Sequence, residues 1–345
     1  MDSLRGSTLN SLEKYILSRG EKKYRAKQVY DFLFRTQNTS WENLQNVPKK
    51  LLECLREDYS FTSLNLIKRI ASDKDITTKY LYETHDGKRT ESVIIRKKDR
   101  ITACLSSQVG CKFACRFCIS GSQGLIRHLS ASEIVDQYFM MQQQEGERIT
   151  NLVMMGMGEP FDNYDAMIQA IRIIHSKEGF GLGARHITIS TVGVPEGIER
   201  FANEGLDQIK LALSLHAPND TLRQKLMPVN RKWDIESVIK TLEKNRRAFK
   251  RSITFEYILF GNLNDTPEHA KELAALARRI KAKVNLIRYN PTGFGLEGVP
   301  FQATTLDRMR VFREVLDRAK IVNTLRKSGG SDVGAACGQL SLGKK

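Results

Sequence analysis

Residues 101–118, Ile-Thr-Ala-Cys-Leu-Ser-Ser-Gln-Val-Gly-Cys-Lys-Phe-Ala-Cys-Arg-Phe-Cys, run from an apolar strand into a loop that carries cysteines at 111, 115 and 118. Three thiolates on one tight loop can hold three irons of a 4Fe-4S cluster. A cluster that only transfers electrons usually has four cysteine ligands, and no fourth cysteine is close in sequence. One iron is thereby left open for a substrate or cofactor. Zinc is the competing reading, but structural zinc takes four ligands, typically from paired CxxC motifs, and only one CxxC is present.

Outward from this loop the chain alternates. Apolar strand candidates at 151–157, 186–191, 208–215, 253–260, 284–289 and 321–326 follow the one at 101–105, with amphipathic stretches at 131–141, 164–175, 235–247, 267–280 and 306–319 between them. Such alternation implies a parallel sheet with crossover helices. Six βα units fall short of a closed eight-unit barrel, so the expectation is an α/β fold with an open partial (β/α)6 barrel over 101–345. Upstream, 1–75 reads as a helical accessory domain with helices at 11–18, 26–34 and 49–57. Cys54 stands beside Leu51, Leu52 and Leu55 and reads as a small core residue. Residues 77–84 and 90–96 read as two strands around the Asp86-Gly87 turn, a β-hairpin linker over 76–100.

Of 345 residues, 41% are hydrophobic, which suits a packed core. No run of about 18 apolar residues exists to span a membrane, and the first ten residues have no apolar signal region, so a cytoplasmic protein is expected. Lysine and arginine outnumber acids 55 to 39, for a net charge of +16. The excess is clustered at Lys22, Lys23, Arg25 and Lys27; at Arg96, Lys97, Lys98 and Arg100; and at Arg246, Arg247, Lys250 and Arg251. Such a field draws in polyanions, and these clusters are expected to hold a nucleic-acid backbone. Large intracellular chains seldom keep cysteines for disulfides, so three of six within eight residues point to metal or redox chemistry.

Met154-Met-Gly-Met-Gly-Glu-Pro160 ends one of the strand candidates. Glycines there let a ligand approach the backbone, and a carboxylate can accept from an ammonium. Together with Ser106-Ser-Gln-Val-Gly-Cys111, Ser214-Leu-His-Ala-Pro-Asn-Asp220 and Ala335-Ala-Cys-Gly-Gln-Leu340, in this order, the chain resembles the RlmN/Cfr family of radical S-adenosyl-L-methionine (SAM) rRNA adenine methyltransferases. The resemblance covers nearly the whole chain, including Tyr24-Arg-Ala-Lys-Gln-Val29. It implies a radical SAM barrel whose cluster is held by Cys111, Cys115 and Cys118, with SAM chelating the open iron. It also implies SAM contacts from Gly158, Glu159, Ser190, Ser214, His216 and Asn290. Without the resemblance, Ser190 and Ser214 read as strand-end caps, His216 as a loop histidine and Asn290 as a turn former before Pro291.

The same resemblance implies a two-stage transfer that uses two SAM per turnover. Cys337 would take a methyl group from one SAM. Cleavage of the second would give the radical that activates this S-methyl carbon for addition to adenine. Cys104 would resolve the adduct through a disulfide with Cys337, and Glu91 would be the proton acceptor. On the residues alone, Cys104 and Cys337 are two buried thiols and Glu91 a solvated strand residue. The small-residue run Gly334-Ala-Ala-Cys-Gly338 does allow close access to Cys337. The implied partners are 23S rRNA, with tRNA a further substrate, and an electron donor such as flavodoxin or ferredoxin, for a monomeric enzyme. A target adenine must leave its stack, which costs least in loops.

Glu159-Pro160 and His216-Ala-Pro-Asn-Asp220 look like the adenine-C2 type of this family, whereas Leu286–Thr292, with Arg288, leans toward the C8 type; C2 is expected. The approach to Cys337, Gly329-Gly-Ser-Asp-Val-Gly-Ala-Ala-Cys, lacks the arginine and the last acid of the family's Arg-Gly-x-Asp-Ile-Asp-Ala-Ala-Cys, which puts the ordering of that loop and the RNA target in question. A different class of reading is a non-catalytic RNA-binding protein with a structural metal, which needs neither Cys104 nor Cys337.

Overall fold

A computed structural model describes residues 1–35, 38, 40–326 and 329–341. Helices α1 (Leu9–Ser18), α2 (Tyr24–Phe34) and α3 (Lys49–Asp58) open the chain. The Thr8 hydroxyl accepts from the Ser11 amide and starts α1, and Pro48 precedes the first turn of α3. Cys54 is half-buried on α3.

Next come β1 (Leu64–Ala71), β2 (Thr77–Thr84), β3 (Arg89–Lys97) and β4 (Arg100–Leu105), paired antiparallel in chain order. The expected hairpin is therefore two strands of a longer meander. Strand β1 escapes the sequence reading because Lys68 and Arg69 interrupt its alternation and a bulge falls between Leu66 and Lys68. The β2–β3 turn is also longer than two residues. It takes a left-handed Gly87 (φ +71°), whose amide donates to Thr84 O at 2.9 Å.

Strand β4 is the hinge of the architecture, antiparallel to β3 and parallel to the strand on its other side. After it, the short ribbon of β5 (Gln108–Gly110) and β6 (Leu125–His128) brackets the cysteine loop and the single turn α4 (Ile119–Ser122). Then follow α5 (Ala131–Glu145), β7 (Asn151–Met154), α6 (Tyr164–His175), β8 (Ile187–Thr191), α7 (Pro195–Ala202), β9 (Lys210–Ser214), α8 (Asp220–Leu226), α9 (Ile235–Lys244), β10 (Thr254–Leu259), α10 (Pro267–Ile280) and β11 (Lys283–Arg288). A small ribbon of β12 (Gly295–Leu296) and β13 (Val299–Pro300), then α11 (Leu306–Arg318), lead to β14 (Asn323–Arg326). One ten-stranded sheet results, in the order β1-β2-β3-β4-β7-β8-β9-β10-β11-β14. From β4 to β14 every pairing is parallel, and the sheet curls as an open partial barrel with helical crossovers.

Strand β7 stops at Met154, three residues short of the expected end, because the Gly156 amide turns to Leu105 O (3.0 Å) and the chain enters the glycine loop. Helix α7 lies outside the expected elements, since eight residues opening on Pro195 carry too few turns to show a period.

The N-terminal helices are docked on the barrel. Arg5 is fully buried, reaching Phe61 O (2.6 Å) and Asp136 Oδ1 of α5 (3.3 Å), with its guanidinium 3.5 Å from the Phe139 ring centroid. The second Asp136 oxygen accepts from Ser63 N and Oγ, both at 2.6 Å. A continuous apolar core runs from Leu4 through these helices to Ile321.

Candidate active site

The cysteine loop is fixed before its thiols are placed. Gly110 has φ +78°, and a Cβ there would lie 1.9 Å from Gly124 O, so only glycine lets the two ends of the loop close. Cys118 N donates to Cys115 O (3.0 Å) in a tight turn with Ala114 at φ +51°. The Phe113 ring on the loop packs on Trp233 (6.3 Å).

Cys111, Cys115 and Cys118 line one cavity of about 140 Å³ at the carboxyl ends of the parallel strands. Burial pushes all three thiols up, Cys111 to about 12; neighbouring thiols add to the effect, while hydrogen bonds at Cys111 and Cys118 pull against it. Among the described residues no group of three or more histidine, cysteine, aspartate or glutamate side chains closes on a point that one metal ion would fill. A cluster asks for less, because each thiolate meets its own iron. Three soft donors on one wall of a cavity, with no carboxylate or imidazole completing a four-ligand set, fit a 4Fe-4S group with one iron facing the open space.

Across the cavity, Gly158 stands at φ +97°, and a Cβ on it would come within 2.5 Å of Gln108 Cβ. This glycine sets Glu159, which is buried and takes the Phe161 amide on Oε1 (3.1 Å) and the Val192 amide on Oε2 (2.8 Å). Burial raises its carboxyl to about 7 against the pull of Thr191 and these amides. Ser190 on β8 and Ser214 on β9 meet through their hydroxyls (3.2 Å) and line the same wall. His216 adopts φ +55°, accepts the Ile258 amide on Nδ1 (3.1 Å) and sits edge-on to Phe117 (5.1 Å). Burial, with Arg223 nearby, pushes this imidazole down to about 3, so it is neutral. Asn290 is half-buried just past β11 and outside the cavity wall, where Ile287 takes its place.

The two single cysteines come together. Cys337 and Gly338 line the cavity beside Cys118. Their loop is bound to the cysteine loop, with Ile119 N donating to Gly338 O (2.8 Å) and Ser120 Oγ to Leu340 O (2.8 Å). Cys104 lies on β4 in a small apolar cluster with Val93, Met157, Ala335 and Leu340, so residues flanking Cys337 cover it. Burial and then the adjacent Cys337 thiol push Cys104 up to about 12. All six cysteines are free thiols, so the expected Cys104–Cys337 disulfide is not among the bonds of this structure. Glu91 is 2% exposed rather than solvated, pairs with Lys79 Nζ at 3.2 Å and accepts the Ser341 amide at 2.9 Å.

The sequence reading misses two charged residues of the wall, Glu256 on β10 and Arg326 at the end of β14. Glu256 sits inside an apolar strand run, where a lone charge is the available signal; Arg326 ends a mixed strand and carries no such signal. Arg246, Arg247, Lys250 and Arg251, read as a nucleic-acid contact, precede the amino end of β10, at the opposite end of the barrel from the cavity. There Arg246 donates to Ile280 O (3.0 Å) and Phe249 O (2.7 Å), and Lys250 pairs with Asp207 (2.6 Å).

Fold and site together define a radical SAM protein, and residues 105–277 match the Radical SAM superfamily. Residues 3–60 match the "Ribosomal RNA large subunit methyltransferase N-terminal domain". The chain is 41% identical to a "Probable dual-specificity RNA methyltransferase RlmN" of Akkermansia muciniphila, over 98% of this chain and 95% of that one. The match to the protein of the same description in Thermotoga neapolitana is also 41%, over 100% and 99%. A solved structure, a radical SAM methyltransferase from Sphaerobacter thermophilus, superimposes with a TM-score of 0.92 at 40% identity and 99% coverage of both chains. The chain belongs to the RlmN family of radical SAM methyltransferases.

Proposed function

We propose that this protein methylates C2 of an adenosine in 23S rRNA, and in tRNA as a second substrate, through a methyl group carried on Cys337. The observation that carries the reading is Cys337 on the same cavity as the three-cysteine loop, with Cys104 buried beneath the residues that flank it. A non-catalytic metal protein has no use for the first two. When bound, a 4Fe-4S cluster with SAM supplies the methyl group and the 5′-deoxyadenosyl radical.

The chain does the rest. Cys111, Cys115 and Cys118 hold the cluster. Glu159 holds the methionyl amine, and Ser190, Ser214 and His216 complete the SAM wall, with Asn290 reserved for a contact from beyond β11. Cys337 would lose its proton, carry the methyl as a thioether and, once one hydrogen of that methyl has passed to the SAM-derived radical, be joined through that carbon to adenine, with the surplus electron returned to the cluster. Glu91 takes the proton from the ring carbon. Cys104 then attacks the Cys337 sulfur, freeing the methylated base and leaving a Cys104–Cys337 disulfide, which a donor such as flavodoxin or ferredoxin must be able to reset along with the cluster.

The test is anaerobic reconstitution, incubation of the holoenzyme with SAM, reductant and ribosomal RNA or tRNA, and mass spectrometry of the digested nucleosides. 2-Methyladenosine is the expected product. 8-Methyladenosine would move the enzyme to the C8 type, and no methylation with a loaded cluster would remove the function.

A further inference from the structure

A polar row runs across the sheet, and Ser190, Ser214 and Glu256 of it line the cavity. Ser214 on β9, Glu256 on β10, Asn285 on β11 and Thr324 on β14 are register neighbours in four adjacent parallel strands. Ser190 on β8 joins through the hydroxyl of Ser214. The row satisfies itself almost completely. Thr324 Oγ1 bonds Asn285 Oδ1, and Asn285 Nδ2 donates to Glu256 Oε1 at 2.9 Å. The exception is Glu256 Oε2, which is buried and has no hydrogen-bond partner. Glu256 is 5% exposed and lines the cavity. A buried carboxylate oxygen left unpaired is costly, and here the missing donor can come only from what fills the cavity.

We infer that Glu256 Oε2 receives a ribose hydroxyl of bound SAM, making Glu256 a binding residue for the nucleoside half of the cofactor. This rests on the SAM reading above. Two observations select a ribose hydroxyl over the cationic groups of SAM. The Glu159 carboxylate is bonded to the Val192 amide beyond the end of β8, two strands along the sheet from Glu256, about 10 Å at the usual strand spacing, so the ligand group that meets Glu159 is not the one that meets Glu256. Arg326, which lines the same cavity, acts on its charge from a distance and does not bond Oε2. With a cation already near it, what Oε2 lacks is a hydrogen-bond donor. Burial pushes the Glu256 carboxyl up while Arg326 and then Asn285 draw it back, so an accepted hydroxyl proton is well matched to it.

The experiment is calorimetric titration of the cluster-loaded protein with S-adenosylhomocysteine and with its 2′-deoxy and 3′-deoxy analogues. Glu256→Leu should weaken S-adenosylhomocysteine by about tenfold or more, the scale of a hydrogen bond to a charged group, and Glu256→Gln by less. One of the deoxy analogues should bind wild type as weakly as S-adenosylhomocysteine binds the leucine variant, and should not distinguish the two proteins. Iron content and melting temperature report whether the leucine variant folds; if it does not, the glutamine variant and the deoxy analogues on wild type still decide. Wild-type affinity in Glu256→Gln together with equal binding of both deoxy analogues to wild type overturns the inference. Weakening that is the same for all three ligands also overturns it. Failure of wild type to bind S-adenosylhomocysteine at all would instead remove the SAM reading.

Discussion

Cys104 and Cys337 are the same side chain in opposite settings. Cys104 is fixed in the middle of a sheet, and its thiol is held protonated by burial. Cys337 is half-buried on a loop that follows a left-handed Gly334. The carrier must reach both the cofactor and the base, and the resolving thiol must wait. Cys337→Ala should therefore abolish methylation and trap no RNA. Cys104→Ala should leave protein covalently joined to RNA, seen as nuclease-sensitive slow migration on a denaturing gel of protein purified with its cellular RNA. Adduct from the Cys337 variant would reverse the roles.

His216 gives a prediction in pH. Above its unfolded value near 6.5 it is neutral in both states and its contribution to stability is complete. Below that value the unfolded chain binds a proton that the folded site, with its pKa at about 3 and Nδ1 occupied by Ile258, refuses. Stability should fall by about 1.4 kcal/mol per pH unit between 6.5 and 3 from this group. Denaturant unfolding of wild type and His216→Asn at pH 7.5 and 5.5 checks it, because the gap between the two proteins should shrink on acidification.

At the level of elements, the informative object is the loop of residues 329–341. Ser72 Oγ donates to Asp332 Oδ1 (2.8 Å), the Asp73 amide to Oδ2 (3.1 Å), and the Gly330 amide to Asp75 Oδ2 (2.7 Å). A Cβ on Gly329 would lie 2.4 Å from Thr77 Oγ1, so the glycine that replaces the family's arginine is what lets the loop lie against the β1–β2 turn. The turn thus holds the arm that carries Cys337. Asp332→Ala should lower kcat for methyl transfer by about threefold, a modest share for exposed hydrogen bonds. KM for RNA should stay fixed and labelling of the Cys337 thiol by iodoacetamide should speed up. The effects of Asp332→Ala and Ser72→Ala should be less than additive, since the two changes share the Ser72–Asp332 hydrogen bond.

This docking also marks where the sequence stops being legible. Strands β4, β7 to β11 and β14 and the long crossover helices can be read from local period, and the cysteine loop and the glycine loop from their spacing. The packing of residues 72–79 on 329–334 has no local signature, because its partners are some 260 residues apart. Glu256 and Arg326 stay hidden for a related reason. One is a charge in an apolar strand and the other ends a polar one, which means nothing until closure of the barrel shows that both face one cavity.

For the whole molecule, the layout of charge qualifies its total. The net +16 is real, but two of its densest clusters sit at the amino ends of the barrel strands, and Arg96 is paired with Glu145 and Glu147. The cavity opens at the other end. Exposed cations there include Lys112, which pairs with Asp162, and Arg116 on the cysteine loop, and Arg231 and Lys232 beside Trp233, which packs against that loop. Replacing these four by alanine should weaken RNA binding and reduce the slope of log affinity against log salt by up to about 0.7–0.9 for each phosphate that is no longer neutralised. The matched set at Arg246, Arg247, Lys250 and Arg251 should bind RNA nearly as wild type does. The reverse ranking would mean that RNA approaches from the far end.

The bond from Ser341 to Glu91 spans 250 residues, and this fixes when the protein can work. During synthesis a chain folds from its first residues onward, so the helices, the meander and most of the barrel can form while later codons are still being read. Until Cys337 and its neighbours have emerged as well, the cavity lacks the part of its wall made by Arg326, Cys337 and Gly338. Under the proposed function, the chain gains its activity only when this loop folds back across the oldest part of the chain.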